Sequence, residues 1–245
     1  MKILWTIMFT ILLYACNKNE VNAEGKLLQS YVVNDEWETT YHYNADNTLK
    51  ELVFKTDGEE QYKELFTYKN GKIVESLKQC TNGETTVSKK YEYKGDLIVK
   101  QIEHTNESSI RISYFEYNKN NFLEKITTKE SINGYEKSTT TTIEKLPEEN
   151  KIRVSRTNIA THIITHDDKV MPEALISGYR PIVRINNNGI AGNMLLTEIF
   201  VGDECTTTIK TAIEFDSDNV TVLNSETTFE STQMNEIQEF KYNYR

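Results

Sequence analysis

Phe66-Thr67-Tyr68-Lys69-Asn70-Gly71-Lys72-Ile73 decides the fold. Two aromatic residues stand two apart, as they must to share one face of an extended strand. Asn-Gly follows, the dipeptide that best tolerates the positive φ angles of a tight hairpin turn. An apolar residue then opens the next run. The same figure recurs on both sides: Tyr41/Tyr43, Phe66/Tyr68, Tyr91/Tyr93 and Phe115/Tyr117 step by 25, 25 and 24 residues. Between the doublets lie turn signals spaced by about 12 residues: Ala45-Asp46-Asn47, Asp57-Gly58, Asn70-Gly71, Asn82-Gly83, Lys94-Gly95-Asp96, Asn106-Glu107, Lys119-Asn120-Asn121 and Asn133-Gly134. The repeating unit is therefore a hairpin. The chain is predicted to be all-β, an antiparallel up-and-down meander of about 12 to 15 strands, because strands this short and regular leave no room for crossovers.

Between the rings come mixtures such as Leu49-Lys50-Glu51-Leu52 and Leu97-Ile98-Val99-Lys100-Gln101-Ile102, which supply Lys and Glu for a wetted face. The sheet thus has an aromatic-aliphatic side to cover. Open sheets rarely exceed ~10 strands without curling, so a curled or barrel-like form is expected. A transmembrane barrel is disfavoured by the charges on the second face, each costing ~2–4 kcal/mol near a bilayer midplane. After Thr140 the metre blurs. Leu146-Pro147-Glu148-Glu149-Asn150, Asp167-Asp168-Lys169 and Asn186-Asn187-Asn188-Gly189 are expected as turns. Met171-Pro172-Glu173-Ala174-Leu175-Ile176 can make one helical turn, with Pro early and Ser177-Gly178 ending it. Strands return near Thr206, and Tyr242/Tyr244 repeat the doublet.

The N-terminus carries a different message. Met1-Lys2 precedes an apolar run from Ile3 to Leu13, too short for the ~20 residues of a membrane span. It closes on Leu13-Tyr14-Ala15-Cys16, which resembles the bacterial lipobox. That resemblance implies a signal peptide over residues 1–15, cleavage after Ala15 and a diacylglycerol on Cys16, followed by a polar tether over 16–24 and a single β-repeat domain over 25–245. Asn17 is not the Asp that retains enterobacterial lipoproteins at the inner membrane, so the resemblance favours a lipid anchor in the outer membrane, with the exposed face left open. Without residues 1–15 the chain holds 27 basic against 37 acidic residues. Such a balance argues against nucleic acid as a partner. Cys80 and Cys205 remain as thiols that an oxidising compartment could pair or leave free.

Tyr43-Asn44-Ala45-Asp46-Asn47-Thr48-Leu49 and Tyr117-Asn118-Lys119-Asn120-Asn121-Phe122-Leu123 resemble the YD (RHS) repeat, with Asn where that repeat has Asp and Gly. The likeness covers residues 39 to 128. Its looser cadence is similar to Bacteroidetes-type outer-membrane lipoproteins of unknown function, which implies β-hairpin repeats and names no activity.

Few residues bear chemistry. His162 and His166 have helical metal-ligand spacing, but the intervening Ile163-Ile164-Thr165 favours a strand, where they sit about 13 Å apart, so no metal is expected. Asp216-Ser217-Asp218-Asn219 lacks the Gly and distal Glu of a calcium loop and reads as a hairpin turn. No Gly-x-Ser-x-Gly elbow is present, no cofactor is implied, and the chain reads as non-enzymatic. The doublets read as core packing because they recur at the repeat period. A ligand site belongs where the metre breaks, between His162 and Asn188, with His162, His166, Tyr179 and Arg180 as its candidate residues. Three functions remain open: a binding or protein-interaction module for a protein, glycan or lipid partner, a carrier of an apolar ligand inside the curled sheet, and an envelope hydrolase.

Overall fold

The computed structural model describes residues 27–105, 109–148, 150–157, 160–189, 192–201, 204–216, 219–229 and 234–244. The expected signal peptide over 1–15, Cys16, the expected tether over 16–24, Asn106-Glu107 and Ser217-Asp218 lie outside them. Among the described residues sixteen strands run in chain order. They are β1 (Leu28–Val33), β2 (Trp37–Tyr43), β3 (Leu49–Thr56), β4 (Glu59–Lys69), β5 (Lys72–Cys80), β6 (Thr85–Lys94), β7 (Leu97–Thr105), β8 (Ser109–Tyr117), β9 (Leu123–Ile132), β10 (Tyr135–Lys145), β11 (Lys151–Arg156), β12 (Thr161–Val170), β13 (Gly192–Val201), β14 (Glu204–Asp216), β15 (Asn219–Phe229) and β16 (Met234–Tyr244). Each pairs antiparallel with its sequence neighbours, and β1 pairs with β16, closing a barrel. The meander reading holds. The strand number exceeds the expected range because the blurred region after Thr140 still yields six strands, with Asp167-Asp168-Lys169 inside β12 instead of forming a turn.

The turns follow from residue type. Asp57-Gly58, Asn70-Gly71 and Asn133-Gly134 have positive φ at both positions, the backbone that type I′ hairpins demand. The two YD-like stretches form matching loops. Asn44 N–H donates to the Thr48 carbonyl and Asn118 N–H to the Phe122 carbonyl, while Asn47 and Asn121 take φ of 63° and 60°.

The doublets face inward. Tyr41, Tyr91, Phe115 and Tyr242 are buried. Register shifts just before Tyr43, Tyr68, Tyr93 and Tyr117, where the partner strand carries one extra residue: Lys50, Val74, Val99 or Glu124. Such a bulge re-aims the side chains around it. It lets both Leu49 and Leu52 point inward, which simple alternation forbids, and so explains Leu49-Lys50-Glu51-Leu52. The second ring of the doublet then ties hairpins together. Tyr43, Tyr93, Tyr117 and Tyr244 donate their hydroxyls to the carbonyls of Leu28, Ile73, Ile98 and Val220 at 2.6, 2.8, 2.8 and 2.9 Å. Each acceptor is the first or second residue of a strand and lies fully inside. Tyr68 takes the same place near the Leu49 carbonyl, but its buried hydroxyl falls outside hydrogen-bonding geometry.

Between β12 and β13 the chain leaves the wall. A 3₁₀ turn (Pro172–Leu175) and a helix, α1 (Arg180–Asn186), fold into the barrel. A sixteen-strand barrel is too wide for its own side chains to fill, and this segment supplies the missing apolar volume at one end. Ile176 packs with Leu28, Leu49, Tyr41, Val220 and Tyr242. On the other side, Ile182 and Ile185 pack with Ile73, Ile98, Leu123, Ile152 and Ile164. The plug thus touches wall strands around the circumference. Two glycines permit the fit: a Cβ on Gly178 would lie 3.1 Å from the Tyr68 ring, and one on Gly189 3.0 Å from Leu123 Cβ.

Candidate ligand site in the barrel lumen

The plug divides the lumen. Inward positions at its end are aromatic or aliphatic, whereas those toward the other end include a polar and charged row along β4–β10 and the aromatic residues Trp37, Phe54 and Tyr62 on β2–β4. Strand register sets inward-facing residues of opposite sign directly against one another: Glu64 with Lys78, Lys89 with Glu103, Arg111 with both Glu103 and Glu130, and Glu130 with Lys137. Arg111 bridges two strands, reaching Glu103 at 3.1 Å and Glu130 at 2.6 Å, and Lys89 approaches Glu103 at 3.9 Å. Ser113 and Thr128 continue the polar wall with hydroxyls 3.0 Å apart. These cross-strand ion pairs lay charge along the inner wall.

Clefts open at both ends of this interior. One, of about 390 Å³, lies at the plugged end between the β6–β7 and β8–β9 turns and α1, with Lys94, Asp96, Tyr117, Asn121, Arg180 and Arg184 among its residues. Arg184 donates to the Asn121 carbonyl at 3.2 Å. Burial, and then the neighbouring Arg184, lower the Arg180 pKa. The other, of about 930 Å³, lies at the open end where β1–β4 meet β16, with Tyr31, Trp37, Phe54, Tyr62, Glu236 and Gln238 among its residues. Phe54 and Tyr62 stack at 4.3 Å, and Lys78 Nζ stands 3.5 Å from the Tyr62 ring centre.

Beneath the larger cleft the plug carries an unusual group. Glu173, on the 3₁₀ turn, has its Oε2 shielded from solvent without a hydrogen-bond partner. Burial raises its pKa to about 7. Tyr31, Tyr41, Tyr179, Tyr242 and Tyr244 lie within its electrostatic reach, and burial first, then this carboxylate among their neighbours, raises their own pKa values. Tyr31 also lines the open cleft, so it neighbours both that cleft and, electrostatically, the buried carboxyl.

The four candidate residues do not form one site. His162 is half-buried on the inner wall of β12 opposite Val154 and Ile199, its pKa lowered by burial and then by Arg156. His166 follows a register shift, and its Nδ1 lies 2.8 Å from the Asp167 carbonyl. Tyr179 caps α1 and meets Phe66 of β4 edge to face at 5.6 Å, across the barrel from β12. Arg180 lines the smaller cleft. Among the described residues no three His, Cys, Asp or Glu gather as a metal site. The broken metre does mark the plug, but the lumen charges and Trp37 sit on regular strands. Their only sequence signal was a charged or bulky residue at an inward register position.

No family model and no curated protein matches the chain. Solved structures do match. A porin-like protein from Bacteroides uniformis ATCC 8492 aligns over 89% of this chain and 96% of its own, at 14% identity and a TM-score of 0.58. A porin-like protein from Bacteroides vulgatus ATCC 8482 covers 89% and 99%, at 10% identity and a TM-score of 0.47. The first likeness shows that this chain shares a known barrel fold.

Proposed function

We propose that the chain is a non-enzymatic, lipid-anchored outer-membrane protein that binds a hydrophilic ligand in a barrel closed at one end. The observation that carries this reading is the division of the lumen, packed at one end by an apolar plug and lined by charge along β4–β10 toward the other. Filled volume at the plug leaves little room for an acyl chain, and the charged wall favours a polar ligand over an apolar one.

The outer wall supports anchoring by lipid instead of immersion in lipid. Outward positions carry cross-strand ion pairs, Glu38 with Lys55, Glu92 with Lys100, Glu116 with Lys125 and Glu144 with Arg153, at 3.3, 2.8, 2.7 and 3.0 Å. In water each contributes only about 0–1 kcal/mol, and in hydrocarbon each charge is a penalty. The Leu13-Tyr14-Ala15-Cys16 motif supplies the attachment. Although the Bacteroides uniformis protein is described as porin-like, a plug packed on both sides of the lumen favours binding over conduction here.

Planar-bilayer recording with the acylated protein tests this. No conductance steps are expected. A chain beginning at residue 25 should partition into the aqueous phase of Triton X-114, and the acylated form into the detergent phase. Stable channels, or detergent partitioning of the unacylated barrel, would sink the reading.

A further inference from the structure

Of the two clefts, the one at the open end presents the more specific chemistry. It is enclosed by strands from both ends of the chain, and about 930 Å³ is within the ~300–1,000 Å³ of ordinary ligand sites. Three features define what it can hold.

The first is an aromatic face that packing does not use. Trp37 starts β2 at an inward position, yet it is 58% exposed. The other rings nearby are engaged: Phe54 and Tyr62 stack on each other, Lys78 covers Tyr62, and Tyr31 meets Tyr41, Phe240 and Tyr242 at 5.7 to 6.4 Å. The second is a polar pair. Glu236 and Gln238 are two apart on β16, so they share a face, and the Gln238 amide donates to Glu236 Oε1 at 3.0 Å. That bond fixes both groups and leaves the second carboxylate oxygen and the amide oxygen as acceptors. The third is charge. Glu38 and Lys55 hold each other at 3.3 Å on the outer side of the same strands, which leaves Glu36 and Glu236 in the cleft and Lys78 over the Tyr62 ring beside it. That near balance suits a neutral ligand.

A flat apolar surface beside fixed hydroxyl acceptors, in a nearly balanced charge setting, matches a molecule with a C–H face and a hydroxyl edge. We propose that this cleft is a binding site for a neutral saccharide, with a sugar ring against Trp37 and its hydroxyls on Glu236 and Gln238. The assignment rests on the ligand-binding reading of the lumen and gives it a ligand class.

The chain contains two tryptophans, Trp5 and Trp37. Once the signal sequence is removed, Trp37 alone reports by fluorescence. The processed, acylated protein in a polyoxyethylene detergent, free of sugar headgroups, is titrated with neutral hexaoses of glucose, mannose, galactose and xylose, and separately with choline and orthophosphate. At least one hexaose is expected to shift the emission saturably. Calorimetry with that hexaose should show Trp37→Ala and Glu236→Ala each weakening affinity by about tenfold or more, about 1.4 kcal/mol, with Trp37→Phe retaining part of it. Far-UV circular dichroism checks the fold of each variant. A response to choline alone would replace the assignment with an aromatic cation site, and a response to phosphate alone would also overturn it. Silence with every hexaose, or full affinity in Trp37→Ala, would remove the saccharide while leaving the closed barrel intact. Channel formation in bilayers would remove the parent reading itself.

Discussion

The Glu173 carboxyl is held where Oε2 is shielded from solvent and no protein donor reaches it, and its proton resolves that conflict. Its ordinary pKa of 4.5 is raised to about 7 by burial, so the folded state binds a proton more tightly than the unfolded chain. The resulting stability is complete below about pH 4.5, declines as pH rises toward 7, and stays low above it. Glu173→Gln keeps the shape and removes the titration. The variant should match the parent in urea unfolding at pH 5 and exceed it by on the order of 2 kcal/mol at pH 8; equal midpoints at both pH values would show that the carboxyl is hydrated. The tyrosine ties form a second residue-scale device. Tyr93→Phe and Tyr117→Phe remove a hydroxyl from the buried Ile73 and Ile98 carbonyls, and each should lower stability by about 1–2 kcal/mol. The pairing of rings is plain in the sequence, since spacing by two is a local property. The hydroxyl's destination is not, because the accepting carbonyl lies 15 to 24 residues away on another hairpin.

Among elements, the segment between β12 and β13 differs most from its expected role. Its helical turn and its stop at Ser177-Gly178 are written in Pro172 and Gly178, and both form. What it does with them depends on the barrel around it: Ile176, Ile182 and Ile185 are an apolar stripe only because facing strands offer Leu28, Ile98 and Ile152. Close packing at two glycines gives a direct measure of how firmly it is seated. Gly178 and Gly189 have φ of +75° and +86°, with wall atoms at 3.1 and 3.0 Å from an added Cβ, whereas Gly134 has φ of +84° and open space. Alanine at Gly134 should cost only the left-handed backbone, about 1 kcal/mol, while alanine at Gly178 or Gly189 adds overpacking of about 1–3 kcal/mol. Hydrogen exchange over residues 171–189 should rise in the latter two variants and stay unchanged in the first. Equal effects at all three would mean that the plug sits loosely.

For the whole molecule, closure sets which residues meet. β1 and β16 join through five paired positions, reinforced by Lys241 with Asp35 at 2.9 Å and by Glu239 N–H donating to Asn34 Oδ1 at 2.8 Å. Closure also settles the thiols. Cys80 ends β5 and Cys205 begins on β14, strands on opposite sides of the barrel, and both are free and half-buried. Native and reduced protein should run alike in denaturing gels, and two thiols per chain, beyond Cys16, should alkylate after unfolding; a mobility shift on reduction would place the strands in another order. Removal of β16 should unfold the barrel as a unit, because it exposes two edges at once.

Hairpin turns, the inward aromatic doublets and the helical break near Pro172 are local consequences of residue type, and the amino-acid order determined them by itself. A positive φ needs only Asn or Gly at its own position, and a shared face needs only a spacing of two. The count of sixteen, the join between β1 and β16, the entry of the plug and the charge row on the inner wall were decided in three dimensions. Each depends on strand stagger summed around a circle, and on partners that the chain brings together only after it has closed.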